Sequence, residues 1–284
     1  MAWNYTAPNL GLLFYKRVYN EHDIKRLVIF ENEVLKIDID PRAKTTEFDQ
    51  YFKALVNFRT DSYTQIENPV AAHRFPLKTT YPGLMVGSGY THDSGAKGDF
   101  KMGFFFDHTS GQPVIPGSSI KGVLRSIFEL DTDDCGRKIT GAKSVEAFNF
   151  FIKEANIEYH NLSINELKTL MQEIFGTQDN PGKDIFYDAV IDIARSGSKK
   201  IVSTDFITPH KHIGSPRKPE LDQFSNPTPL MFLRVMPEIY FEFRFDLKNG
   251  EILKADQKKD LFKAIISTLG IGAKTNVGYG QFES

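Results

Sequence analysis

The stretch that most narrows the possible folds is Ile115 to Arg125, which reads Ile-Pro-Gly-Ser-Ser-Ile-Lys-Gly-Val-Leu-Arg. A Pro-Gly turn closes an apolar strand and two serines open a helix, where unpaired backbone N–H groups and the positive end of the helix dipole collect. Anions favour such a place. Ile120, Val123, Leu124, Ile127 and Phe128 recur at helical spacing as a stripe to be buried, while Ser118, Lys121 and Arg125 fall on another face. The chain must supply a layer for this helix to lie on and leave hydroxyl, ammonium and guanidinium groups outside. Gly122 costs roughly 1 kcal/mol in mid-helix against alanine, which is expected where something approaches the backbone closely. Gly117 and Gly122 have the glycine spacing of a Walker A loop, but Val123 stands where its lysine belongs, which argues against a nucleotide triphosphatase. Taken alone, the stretch also fits an ordinary strand-turn-helix with solvated Lys and Arg.

The C-terminal Leu269-Gly-Ile-Gly-Ala-Lys-Thr-Asn-Val-Gly-Tyr-Gly-Gln-Phe282 shifts the balance toward a ligand. Gly270, Gly272, Gly278 and Gly280 let the chain lie close to a ligand backbone, and Lys274, Thr275 and Asn276 supply donors. It is not a dinucleotide fingerprint, because Thr275 occupies the place of the third glycine and the preceding segment reads as a helix.

These two stretches together resemble the RAMP superfamily of CRISPR RNA-binding proteins. Four further words follow in order: Pro82-Gly-Leu-Met-Val-Gly-Ser-Gly89, Gly103 to Asp107, Phe175-Gly176 followed by Phe186-Tyr-Asp-Ala189, and Asp205-Phe-Ile-Thr-Pro-His210 followed by Pro227-Thr-Pro-Leu230. In that spacing they are similar to the family of sixth-numbered Cmr subunits of type III-B effectors, over about residue 71 to the end. The resemblance implies a ferredoxin-like, RRM-related core. It also implies a place toward the 3′ end of the guide (CRISPR) RNA in a Cmr complex, beside the repeated backbone subunit and another RAMP subunit, in antiviral defence.

Charge does not announce this function globally, since 35 basic residues face 36 acidic ones. Locally, residues 71 to 125 carry six Lys/Arg against three Asp/Glu, and residues 126 to 180 carry five against ten. The basic excess falls on the anion-binding turn. Cys135 is the lone cysteine and has no partner for a disulfide or a metal site, as in a reducing cytoplasm. No apolar run approaches the roughly 20 residues of a membrane span, and the first residues do not read as a basic-then-apolar leader. A soluble cytoplasmic protein without cofactor or metal is expected.

The periodicity predicts an α+β fold, an antiparallel sheet with helices on one face. Residues 1 to 70 form an N-terminal extension, with a strand at Leu27 to Phe30 and a helical stripe of Phe48, Tyr51, Phe52 and Leu55. Residues 71 to 284 form the RNA-binding domain. His73 to Thr80 alternates as its first strand, placing Phe75 and Leu77 on one face and Arg74, Pro76 and Lys78 on the other. Phe104 to Phe106 reads as a second strand. A helical insertion spans about 140 to 176, with Ser144 capping one helix and a capping box of Ser163 and Glu166 opening the next. Strands are expected at Ile185 to Ile193 and Lys199 to Phe206. Ile239 to Asp246 alternates, with Ile239, Phe241, Phe243 and Phe245 inward. Asp256 then caps a helix that buries Leu261, Phe262, Ile265, Ile266 and Leu269 and stops at Gly270.

The Lys/Arg-Gly-Phe/Tyr-Gly/Ala-Phe stacking motif of an ordinary RRM is missing, so RNA is expected to be held by its backbone, with little base information. In this mechanism Gly117, Ser118 and Ser119 present donors to a guide phosphate, and Lys121 and Arg125 neutralise charge beside it. Lys274, Thr275 and Asn276 close over the strand from the glycine loop that includes Gly272, and Tyr279 stacks on a base or ribose. Arg74 and Lys78 join the set from the first strand. His210 and Lys211, in a proline-rich loop from Thr208 to Pro229, are expected to touch the guide–target duplex. Two other readings compete. One is a RAMP endoribonuclease using Asp93 with His92, or His108, or the pair His210 and His212. The other is a purely structural assembly subunit.

Overall fold

The computed structural model describes residues 28–31, 34–37, 57–87, 105–159, 161–207 and 230–284. The expected helix at Phe48 to Leu55, the residues His92 and Asp93, and the loop carrying His210, Lys211 and His212 lie outside them. The chain divides into two units, each assembled from three segments. One holds residues 1–63, 85–113 and 198–236, the other 64–84, 114–197 and 237–284.

The second unit carries the main sheet. Its strands are β3 (His73–Thr79), β4 (Val114–Ile115), β7 (Ile185–Phe186), β8 (Ala189–Ile191), β11 (Tyr240–Asp246) and β12 (Phe282–Glu283), in the order β12-β3-β11-β8-β4 with β7 also on β11. Every pairing is antiparallel. The first four strands in that order are the ferredoxin-like arrangement 4-1-3-2, and β4 extends its edge. Alternation decides the faces: Phe75 and Leu77 of β3 and Phe241, Phe243 and Phe245 of β11 are buried on one side. Phe75 stacks on both Phe243 and Phe245 at centroid distances of 5.5 and 5.6 Å.

The helices gather on that side. They are α1 (Gly117–Ser126), α2 (Ala142–Glu154), α3 (Ile164–Phe175) and α5 (Ala255–Leu269), while the single turn α4 (Ile193–Ser196) follows β8 and packs on β11. α5 lies on β3 and β12, α1 and α2 pack against α5, and α3 packs against α1 and α2. Most of the expected stripes are buried: Ile120, Leu124, Ile127 and Phe128 of α1 and its exit, Leu167, Leu170 and Ile174 of α3, and Leu261, Phe262, Ile265 and Ile266 of α5. Val123, in contrast, is half-buried, and Leu269, at the last turn of α5, is exposed rather than buried. Phe128 meets Phe148 of α2 and Phe175 of α3 at 5.1 and 5.3 Å. Lys258 of α5 is fully buried, and its Nζ donates to Asp184 Oδ2 at 2.8 Å and to the Lys248 carbonyl at 2.9 Å. A buried ammonium is tolerated only when paired and hydrogen-bonded in this way.

The outer face of the sheet is laced with ion pairs. Arg74 and Arg244 face one another in register, and Glu242 accepts a hydrogen bond from Arg244 at 2.6 Å and forms an ion pair with Arg74 at 3.6 Å. The segment leading into β3 folds over this face, where Gln65 donates to Ile191 O at 3.2 Å and accepts from Ile193 N at 2.9 Å.

The second unit also holds a short antiparallel hairpin of β5 (Asp131–Thr132) and β6 (Lys138–Ile139). In the first unit, β1 (Val28–Glu31) pairs with β2 (Val34–Ile37) and β9 (Val202–Ile207) pairs with β10 (Leu230–Val235), both antiparallel. Phe106 forms only a bridge to Pro113 rather than part of a strand. The single strand expected at Ile185 to Ile193 is broken at Tyr187 and Asp188, and its last residue opens α4.

Candidate nucleic-acid interface

The α1 turn is built as the sequence reads, but part of its donor set is already used. Pro116 precedes the helix, and the Pro116 carbonyl accepts from Ser119 N at 2.9 Å and Ile120 N at 3.1 Å. Gly117 N donates to Asp188 Oδ1 at 2.7 Å, so a carboxylate of the chain itself sits at the helix mouth. Gly117 is required by space as well: a Cβ there would run into the backbone carbonyl of Phe186. Gly122 is the opposite case, with nothing among the described residues outside its own helix within 4 Å of where a Cβ would stand. The side chains of Ser118 and Ser119 have no partner among the described residues.

The two cations of α1 are engaged. Lys121 Nζ donates to Phe175 O at 3.1 Å and stands 5.8 Å from the Phe186 ring centre, which places its charge on the C-terminal carbonyls of α3. Arg125 donates to Glu129 Oε1 from both Nε (3.2 Å) and Nη2 (2.8 Å). On β3, Arg74 Nε donates to Ala71 O at 3.0 Å besides meeting Glu242. Lys78 bridges Glu283 at 2.7 Å and Glu238 at 3.4 Å, and the hydrogen bond to Glu283 holds its ammonium above the ordinary lysine value.

The glycine loop is more open. Left-handed backbone at Gly272, Lys274, Gly278 and Gly280 turns the chain around the short 3-10 turn Thr275–Val277. Lys274 adopts φ 61° without being glycine, which costs energy that the surrounding loop must supply. The side chains of Lys274 and Asn276 have no partner among the described residues, and Asn276 is exposed. Gly280 is sterically required, because a Cβ would overlap the Ile271 carbonyl. Tyr279 departs from the expectation: at 9% exposure its ring is packed rather than offered for stacking.

Register also separates the two stretches. α1 follows β4 at one edge of the sheet, and the glycine loop leads into β12 at the other. Four strand spacings put them about 19 Å apart. They stand at opposite ends of the strands too, since Gly117 lies against Phe186, whose partner Phe245 pairs with His73, whereas Phe282 pairs with Thr79. A single pinch between Ser118 and Lys274 is therefore replaced by two separate corners.

A sequence profile of the RAMP superfamily matches residues 76–283. The chain belongs to the RAMP superfamily. Among curated relatives it is 27% identical to the CRISPR system Cmr subunit Cmr6 of Pyrococcus furiosus over 198 residues, covering 60% of this chain and 58% of that protein. It is also 27% identical to Cmr6 of Saccharolobus solfataricus over 190 residues, covering 65% and 49% respectively. The chain thus spans about half to three fifths of the length of the curated relatives it matches. A solved chain from the type III-B Cmr-beta complex bound to cognate target RNA superposes with a TM-score of 0.53 at 20% identity, over 96% of this chain and 84% of that one, and this bears out the fold.

For a RAMP core, both marks that carry the resemblance fall on loops at helix ends. Asp188 is the residue that sequence reasoning passed over. It lies inside the quoted Phe186-Tyr-Asp-Ala189 word, in the break between β7 and β8, and its place beside the Pro-Gly-Ser-Ser turn comes from the pairing of β4 with β8, which leaves no local spacing to read.

Proposed function

We propose that this RAMP protein is a non-catalytic, cytoplasmic RNA-binding subunit of a type III-B CRISPR effector. It holds the sugar-phosphate backbone of the guide RNA toward its 3′ end, next to the repeated backbone subunit and another RAMP subunit. The observation that carries the reading is the glycine loop. It is a close-approach backbone with an unpartnered ammonium at Lys274 and an unpartnered amide at Asn276, on the terminal turn of a RAMP core. Serines 118 and 119 supply a second contact at the far corner, and a strand of several nucleotides reaches from one corner to the other. Arg74, Lys78, Lys121 and Arg125, each held by partners of the chain itself, contribute field rather than direct contacts. Likeness to Cmr6 and to a chain of a target-bound Cmr complex supports the assembly.

Filter binding of labelled single-stranded RNA to the purified chain across a salt series tests the reading. Lys274→Ala should weaken binding alike for unrelated sequences and lower the salt slope by about one. Unchanged affinity and slope would remove the loop from the site, and cleavage of the RNA during the assay would overturn the non-catalytic assignment.

A further inference from the structure

The glycine loop carries an aromatic surface that backbone recognition does not use. Tyr81 is 82% exposed and Val277 is 66% exposed. Tyr81 lies two residues past the end of β3, on a turn bound to the glycine loop from both sides. Thr80 donates its N–H and its hydroxyl to Gln281 O, at 3.1 and 3.3 Å, and Gly280 N donates to Gly83 O at 2.8 Å. A Cβ on Gly278 would touch Pro82 Cδ at 3.4 Å, and Tyr81 and Val277 each stand one residue from that contact. The Tyr81 hydroxyl, like the Lys274 ammonium and the Asn276 amide, has no partner among the described residues.

A ring held by this backbone yet left in water is paired best with something flat. A protein partner needs roughly 800 Å² on its side of a stable interface, far more than one tyrosine and one valine present. A nucleobase matches a single ring in area and carries its own phosphate to the neighbouring lysine. The acidic groups at this edge, Glu238 and Glu283, are both engaged by Lys78, which leaves Lys274 to set the local charge. Resting on the reading that the glycine loop meets RNA, we propose that Tyr81, with Val277 beside it, is a stacking platform for one unpaired nucleobase. Lys274 takes the adjoining phosphate and Asn276 faces the base edge. Tyr81 replaces Tyr279 in the stacking role.

The test uses the full chain and a series of short single-stranded RNAs with 2-aminopurine stepped through every position. Wild type and Tyr81→Phe should quench the fluorescence at one position. Tyr81→Ala should abolish that quenching and weaken binding about tenfold with the salt slope unchanged, because a π-face and no charge is lost. Lys274→Ala should do the reverse, lowering the slope by about one while retaining the quenching at saturation. Tyr81→Ala that binds and quenches like wild type overturns the platform alone. Wild type that binds none of the RNAs at low salt overturns the reading of the loop and the platform with it.

Discussion

At the scale of single residues, the two glycines of α1 have opposite reasons for being there. Gly117→Ala drives a methyl group into the Phe186 carbonyl and should cost about 2 kcal/mol, read from urea denaturation. Gly122→Ala meets open space and should stabilise by about 1 kcal/mol in the same assay. If Gly122→Ala also weakens RNA binding, the expectation of a ligand lying on that backbone holds. If binding is unchanged, the helix mouth alone meets the RNA. Asp188 gives a second test of the mouth, since its carboxylate occupies the place where a phosphate would sit. Asp188→Asn keeps an acceptor for Gly117 N but removes the charge. Stability should fall by about 1 kcal/mol as the helix dipole loses its anion. Affinity for single-stranded RNA should meanwhile rise about fivefold. A variant that loses stability without gaining affinity would put α1 off the RNA path.

At the scale of elements, periodicity located the helices and the long strands because burial acts on side chains with a fixed spacing. β11 and α5 are the clearest cases, where Phe241, Phe243, Phe245 and then Leu261, Phe262, Ile265 and Ile266 are all fully buried. Caps were less legible. Ser163 and Glu166 form the capping box that the sequence announces. Ser144, however, is the third residue of α2 rather than the one before it, its Oγ accepting from Gly141 N at 3.3 Å, and Asp256 lies in the first turn of α5 while Lys254 precedes it. For α2 the reason lies in the hairpin before it: Asp131, 13 residues ahead of Ser144, accepts from Ser144 N and Ser144 Oγ, both at 3.2 Å, and so serves the N-terminus of α2 from outside. Partial burial pushes the Asp131 carboxyl up, but the hydrogen bonds from Ser144 and the nearby Lys143 outweigh it and hold the group below its ordinary value. A carboxyl depressed in the folded chain stabilises above its unfolded value, and that contribution is lost as pH falls through the lower folded one. Amides in the first turn of α2 should therefore exchange faster as pH is taken down through and below the usual aspartate range, once intrinsic exchange is corrected. Asp131→Asn should exchange faster at neutral pH and lose that acid dependence.

At the scale of the whole molecule, linear order misleads where the chain leaves a unit and returns. The sequence reads as one extension followed by one domain, yet residues 85–113 and 198–236 group with the N-terminal segment. Nothing in local periodicity reports that kind of regrouping, because contacts between distant segments leave no spacing in the sequence. The second unit nevertheless owns its sheet and its core. Phe75, Phe128, Phe148, Phe175, Phe243, Phe245 and Phe262 all come from its own segments, as do both partners of the buried Lys258 and Asp184 pair. Its roughly 150 residues are enough to bury most of their apolar surface unaided. A chain made of residues 64–84, 114–197 and 237–284 joined by two flexible Gly/Ser linkers should therefore fold alone, with a single cooperative urea transition and matching fluorescence and circular-dichroism midpoints. The first linker must be the longer one, because Leu84 lies near the β12 edge through the Gly83 hydrogen bond to Gly280, whereas Val114 begins β4 at the other edge. Such a chain retains Ser118, Ser119, Tyr81 and Lys274 but lacks the loop of His210 and Lys211. Undiminished RNA affinity would place the binding surface on the ferredoxin-like core. A cooperative fold that no longer binds would move the surface to the residues removed.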